Sequence, residues 1–248
     1  MKIRSVDYAG TIVEPGAPLP GDLPQVAFAG RSNVGKSSLI NTLLRRTRKK
    51  IAHVSATPGK TRAVNFFRVN DRFFLVDLPG YGYAKVPGAV RESWAELMEG
   101  YLARPDGPLA VVQLVDVRHP PTAADVQMLG YLAEVGLPTV VVLTKIDKLT
   151  RSERARRLGE APTRLGLDPE QIIPFSSKTG EGRDELLGAL DDLLTAAESG
   201  TGVAPGTGEV RSEGEEEPTT PENGASITGS TPDDNPERAQ MDPETGEG

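Results

Sequence analysis

Cysteine is missing from all 248 residues of this chain, and histidine occurs only twice. Without thiols there is no disulfide scaffold, no thiolate zinc site and no cysteine nucleophile. His53 and His119 both fall in loop-like stretches with no cluster of metal-ligating partners, which favours surface roles over metal ligation. The longest apolar runs, such as Leu109–Val112 and Val140–Leu143, are four residues, whereas crossing a bilayer takes roughly 20. The opening MKIRSVDYAG has no apolar core of the kind that directs export. The expectation is a cytoplasmic chain with no membrane partner.

Positive charge is also in deficit, but unevenly. The chain carries 28 basic and 35 acidic residues, a formal charge of −7. Residues 199–248 hold twelve of the acids and only two bases, Arg211 and Arg238, so the remaining body is slightly basic. That tail has no aromatic residue and is dense in Gly, Pro, Ser, Thr and Glu. Such a composition cannot bury enough apolar surface to offset the entropy of ordering it. The expected organisation is an N-terminal lead-in over 1–22, one domain over 23–198 and a disordered acidic tail over 199–248.

Within the body, apolar strands alternate with helix-period segments. Gln25–Ala29 reads as a short buried strand, led in by the Pro/Gly-rich stretch Pro15–Pro24. Leu39, Ile40, Leu43 and Leu44 share a helical face, which predicts a helix over about 36–46. A polar, basic loop over 45–62 leads into a hairpin, Asn65–Val69 and Arg72–Val76, turning at Asn70-Asp71. Trp94, Leu97, Met98 and Tyr101 predict a core-facing helix near 91–103, ahead of a strand at Leu109–Val115. Thr122 with Asp125, and Thr150 with Glu153, have capping-box spacing for two further helices. Strands at Pro138–Leu143 and Ile172–Phe175 and a leucine-striped helix over 182–197 complete the pattern. Alternation of this kind implies an α/β fold, a mainly parallel sheet with helices on both faces.

The chemistry is concentrated in four segments. Gly30-Arg31-Ser32-Asn33-Val34-Gly35-Lys36-Ser37 matches G-x-x-x-x-G-K-[ST] between a strand and a helix, where a phosphate loop must sit. Its glycines let backbone N–H groups curl round phosphate oxygens, and the helix N-terminus adds positive potential. Lys36 is suited to reach the β- and γ-phosphates, and the Ser37 hydroxyl to ligate Mg²⁺. Asp77-Leu78-Pro79-Gly80 ends a strand; Asp77 can hold Mg²⁺ through water, and the Gly80 N–H can meet the γ-phosphate. Thr144-Lys145-Ile146-Asp147 ends a later strand. A carboxylate there accepts from N1–H and the 2-amino group of guanine, which adenine does not offer. Phe175-Ser176-Ser177 ends the last strand, where a backbone N–H can reach guanine O6. All four fall at C-terminal strand ends, the ligand-binding edge of open α/β sheets. Together they specify a GTPase and oppose an ATPase.

The set GRSNVGKSS (30–38), TPGKTR (57–62), DLPGYGYAK (77–85), VDVRHPPTAADVQM (115–128), TKID (144–147) and FSSKTGEG (175–182) resembles the EngB family of bacterial GTPases. The likeness runs over about residues 3–197. It implies a Ras-like P-loop GTPase domain that binds GTP and GDP with Mg²⁺. It further implies a switch in assembly of the large ribosomal subunit, needed for normal cell division and septation. The resemblance assigns Gly59, Lys60, Thr61, Arg62 and Ala63 to the nucleotide site. Within that segment Thr61 becomes the switch threonine, ligating Mg²⁺ beside Ser37 and serving catalysis with Lys36. GTPases with Asn at the place of Asn33 use a potassium ion held by that side chain, so K⁺ joins the expected cofactors. The expected partners are guanine nucleotide and the large subunit or its precursor through ribosomal RNA, with no DNA, and the chain is expected to be a monomer.

Two positions depart from the common GTPase pattern. Thr144 stands in place of the usual Asn, which leaves the contact of that side chain open. Tyr81 stands where Ras-type proteins carry a water-orienting Gln. Phosphoryl transfer depends on positioning and electrostatics, so slow intrinsic hydrolysis is expected. The basic run Arg45, Arg46, Arg48, Lys49 and Lys50 beside the switch loop is a candidate contact to RNA phosphates. A non-catalytic adaptor, stabilised by nucleotide and recruiting a protein partner, is the alternative; steady-state phosphate release separates the two.

Overall fold

Short runs of β-branched and aromatic residues build a seven-stranded sheet in this computed structural model, which describes residues 1–45, 63–82 and 88–200. The loop expected over 45–62, apart from Arg45, and the tail from 201 lie outside the described residues, as does the Trp94 side chain. The strands are β1 (Val6–Ile12), β2 (Gln25–Gly30), β3 (Val64–Val69), β4 (Phe73–Asp77), β5 (Ala110–Asp116), β6 (Thr139–Thr144) and β7 (Ile172–Pro174). The helices are α1 (Lys36–Leu43), α2 (Gly88–Leu102), α3 (Ala123–Glu134), α4 (Arg151–Leu165) and α5 (Arg183–Glu198). Across the sheet the order is β1-β3-β4-β2-β5-β6-β7. From β4 to β7 every pairing is parallel, while β3 pairs antiparallel with β1 and β4. Among the described residues no helix is long and apolar enough to cross a membrane.

Both faces are covered because strand side chains alternate. Val26, Phe28, Val112, Leu114 and Val142 pack with Leu39, Ile40 and Leu43 of α1 and with Leu186 and Leu190 of α5. Their neighbours Ala27, Ala29 and Val111 point the other way, to Leu97 and Tyr101 of α2 and Leu132 of α3. Val141 and Leu143 meet Ala161 and Leu165 of α4. Near-continuous apolar strands are thus buried on both sides, as parallel sheets require. The two expected helix caps are also formed. The Thr150 N–H reaches Glu153 Oε2 at 2.9 Å and the Glu153 N–H returns to Thr150 Oγ1 at 3.3 Å, while the Thr122 N–H donates to Asp125 at 2.9 Å.

The hairpin between β3 and β4 turns at Asn70 and Asp71, with φ 53° and 51°. Two successive left-handed residues are what a tight hairpin turn of this hand needs, and Asn and Asp tolerate them. The Asn70 side chain then grips the chain start. Its Oδ1 accepts from the Arg4 N–H at 2.7 Å and the Ser5 N–H at 3.2 Å, and its Nδ2 donates to the Lys2 carbonyl at 2.8 Å. These bonds tie down the chain just ahead of β1, an edge strand that pairs with β3 inside the expected lead-in. The strand pattern there is weak: the register shifts between Tyr8 and Gly10, and Tyr8 faces solvent.

Candidate nucleotide site

At the carboxyl edge of the sheet, β2 ends at Gly30 and the chain winds through Arg31, Ser32, Asn33 and Val34 into α1. A Cβ on Gly30 would lie 2.8 Å from Val34 Cγ1 and 3.1 Å from Leu114 Cβ, so the turn closes only on glycine. Asn33 and Gly35 are left-handed, at φ 66° and 109°, which coils the loop ahead of the helix. Val34 is buried, Arg31 and Ser32 are half-buried, and Asn33 is exposed. Lys36 makes an ion pair with Asp77 at the end of β4, their side chains only 10% and 7% exposed. The loop lysine and the aspartate of Asp77-Leu78-Pro79-Gly80 therefore face one space, with Leu78 and Pro79 buried beneath it and Gly80 at its rim. Ser37 follows Lys36 in α1. A hydroxyl and a carboxylate there fit Mg²⁺, a hard cation that takes few protein oxygens and completes its shell with water and phosphate. Gly59, Lys60, Thr61 and Arg62 lie outside the described residues; Ala63 is half-buried just before β3.

Thr144 and Lys145, at the end of β6, close the loop from behind. The buried Thr144 hydroxyl donates to the Val34 carbonyl at 2.7 Å. This contact answers what the sequence left open for Thr144. Lys145 is left-handed at φ 65°, and its Nζ donates to the Asn33 carbonyl at 2.6 Å and to Asp116 at 2.8 Å. A loop that turns N–H groups inward turns carbonyls outward, and these two side chains satisfy them.

Ile146 is buried and anchors the next residue, Asp147. Ser176 Oγ donates to Asp147 Oδ1 at 2.8 Å. Asp147 Oδ2 is buried and accepts no hydrogen bond, the Lys148 ammonium being 3.9 Å away. An uncompensated carboxylate oxygen at such a place is costly unless a ligand supplies its donors. Phe175 and Ser176 are fully buried, and Ser176 Oγ accepts from the Lys178 and Thr179 N–H groups at 3.2 Å, which curls 176–179 over the site. Ser177 is half-buried, its carbonyl accepting from Thr42 Oγ1 at 3.3 Å.

Two features go beyond the sequence reading. Asp116, the last residue of β5, accepts from Arg118 Nη2 at 2.8 Å as well as from Lys145. Burial opposes its ionisation, but hydrogen bonds from Arg118 and Lys145 prevail and hold its carboxyl at about 2. The available signal was its position, a carboxylate closing a strand beside the two motif strands. Tyr81 is the second feature. The Ser32 N–H donates to its carbonyl at 3.0 Å, and its N–H to the Gly30 carbonyl at 3.3 Å. Its ring turns instead toward β5 and α3, where the hydroxyl accepts from Gln113 and donates to Asp125 at 3.2 Å. Burial, and then the charge of Asp125, push this phenol well above its ordinary value, so it stays protonated.

A family model described as 50S ribosome-binding GTPase matches residues 25–145. A relative from Gemmatimonas aurantiaca, named probable GTP-binding protein EngB, is 51% identical over 199 residues, 78% of this chain and 95% of its own length. The chain belongs to the EngB family of GTP-binding proteins. Another EngB relative, from Desulforamulus reducens, is 49% identical over 196 residues, with 78% of this chain and 95% of its own covered. A crystal structure of a probable GTP-binding protein EngB superposes with a TM-score of 0.59 at 25% identity, covering 69% of this chain and 98% of that one. Era from Aquifex aeolicus, crystallised with GDP·AlF4⁻, shares the fold at a TM-score of 0.57 and 24% identity, over 70% of this chain and 57% of its own. The expected P-loop GTPase fold is therefore correct, and EngB membership supports GTP hydrolysis with GTP, GDP and Mg²⁺ as ligands.

Thr144→Val keeps the shape and removes the donor from the Val34 carbonyl. It is expected to cost about 1–3 kcal/mol of stability, the penalty of a buried unsatisfied group, as read from urea unfolding.

Proposed function

We propose that this EngB protein is a Mg²⁺-dependent GTPase switch with slow intrinsic hydrolysis that acts in large ribosomal subunit assembly, and thereby supports cell division and septation in the cytoplasm. The observation that carries the nucleotide reading is the buried Oδ2 of Asp147, which accepts no hydrogen bond, beside an Oδ1 already held by Ser176. The N1–H and 2-amino groups of guanine supply the two donors such a carboxylate lacks. Thr144, Lys145 and Ile146 orient it, while Phe175, Ser176 and Ser177 bring backbone toward O6. The loop from Gly30 to Lys36 wraps the phosphates, and the Lys36 ammonium shifts from Asp77 to the β- and γ-phosphates. Mg²⁺, when bound, neutralises charge on the transferring phosphoryl group; Ser37 and Thr61 hold it directly and Asp77 through water. Gly59, Lys60, Thr61, Arg62 and Ala63 belong to the nucleotide site, and the Gly80 N–H reads the γ-phosphate.

Slow hydrolysis follows from Tyr81, whose hydroxyl is engaged by Gln113 and Asp125 rather than by an attacking water. The exposed Asn33 side chain would hold a potassium ion, which would supply the missing positive charge. Ribosome engagement is supported by the description of the matching family model and by Arg45, exposed at the start of the basic run.

Three measurements test this reading. Asp147→Asn is expected to shift preference from GTP toward xanthosine triphosphate, because the amide donates to the new carbonyl; unchanged GTP binding refutes the base assignment. K⁺ is expected to accelerate hydrolysis over Na⁺ at equal ionic strength, and Asn33→Ala to abolish the difference. Co-sedimentation with large subunits is expected with a non-hydrolysable GTP analogue and not with GDP. Equal binding in both states removes the switch.

A further inference from the structure

We infer that Asp116 is a positioning residue: it fixes the Lys145 side chain so that the base and phosphate halves of the site act as one, which rests on the guanine reading of Asp147. β5 lies between β2, which leads into the phosphate loop, and β6, which ends in the base-reading segment. Its last side chain is therefore the one that stands between the two. The Asp116 carboxylate is 19% exposed and held in a fixed plane by Arg118. Oδ1 accepts from the Arg118 N–H at 3.1 Å and Nε at 3.0 Å, and Oδ2 from Nη2 at 2.8 Å. Oδ2 also receives Lys145 Nζ at 2.8 Å.

Lys145 needs such a guide. Its backbone is left-handed, and its stem passes Gly35, where a Cβ would lie 3.6 Å from Lys145 Cε, before Nζ meets the Asn33 carbonyl at 2.6 Å. A lysine is a point charge on a flexible four-carbon stem, and one carbonyl does not select a single rotamer. Two acceptors in line do. The carbonyl of Asn33 and the carboxylate of Asp116 occupy two of the three ammonium donors and leave the stem stretched along the loop. A stem so placed presents a flat apolar edge to the base that Asp147 reads, while its head secures the residue next to the phosphates. Loss of Asp116 is then felt at the nucleotide through Lys145.

A double-mutant cycle on the full chain tests this, with fluorescent GDP and GTP analogues titrated into Asp116→Asn, Lys145→Met and the double variant. Asp116→Asn is expected to weaken both nucleotides about tenfold, the size of one charge-assisted hydrogen bond. In the Lys145→Met background the same change is expected to have no further effect. Combined with Ser176→Ala, which touches the other side of Asp147, its effect is expected to multiply. Unchanged affinity in Asp116→Asn, or full multiplication with Lys145→Met, overturns the role. If circular dichroism finds Asp116→Asn unfolded, Asp116→Glu, which moves the carboxylate by one methylene, enters the same cycle with the same criteria. A wild-type chain without preference for guanine over adenine nucleotides overturns the base reading itself. Guanine preference with multiplying losses overturns only the part given to Asp116.

Discussion

The outward carbonyls of the phosphate loop are the constraint on which the rest of the site depends. Backbone N–H groups converge on one side of such a loop only if the peptide planes send their oxygens to the other, where each needs a donor. Val34 and Asn33 find theirs in Thr144 and Lys145, consecutive residues at the end of β6. The strand order meets this need. β5 alone separates β2 from β6, so donors leaving β6 span one strand and reach the loop. Gly30 serves the same closure, since a Cβ there would clash with Val34 and crowd Leu114.

Charge is divided along that edge. Toward α1 sits Lys36 with Asp77, and behind the loop sit Lys145, Asp116 and Arg118, each cation matched to a carboxylate. Paired charges can be held in a half-dry cleft, where isolated ones would be too costly. Asp147 stands apart, with one oxygen held by Ser176 and one buried without a donor. Matched ions preorganise a site, and a buried carboxylate oxygen that accepts no hydrogen bond marks where recognition is unfinished. Tyr81 adds a neutral element. Its backbone lies against the loop while its phenol is buried between Gln113 and Asp125.

Much of this was legible from the chain alone. The strand–helix alternation, the turn at Asn70-Asp71, the caps at Thr122 and Thr150, and the four chemical segments all come from patterns within a few residues. β1 escaped because its alternation is broken near Gly10 and its docking is provided by β3, a strand more than fifty residues away. Asp116 escaped because its partners lie on another strand and in the following loop. The direction of the Tyr81 ring escaped because the residues that receive it, Gln113 and Asp125, belong to β5 and α3.

By itself the sequence determined which residues turn, cap, alternate and carry charge. Those properties arise from φ preferences, side-chain period and short-range hydrogen bonds, which act between neighbours. Only the tertiary structure decided which acceptor each donor meets. Thr144 and Val34 are 110 residues apart, Lys145 and Asn33 are 112 apart, and Lys145 and Asp116 are 29 apart. Pairs so distant are fixed by strand order and register, which the burial of both sheet faces imposes on the whole chain at once.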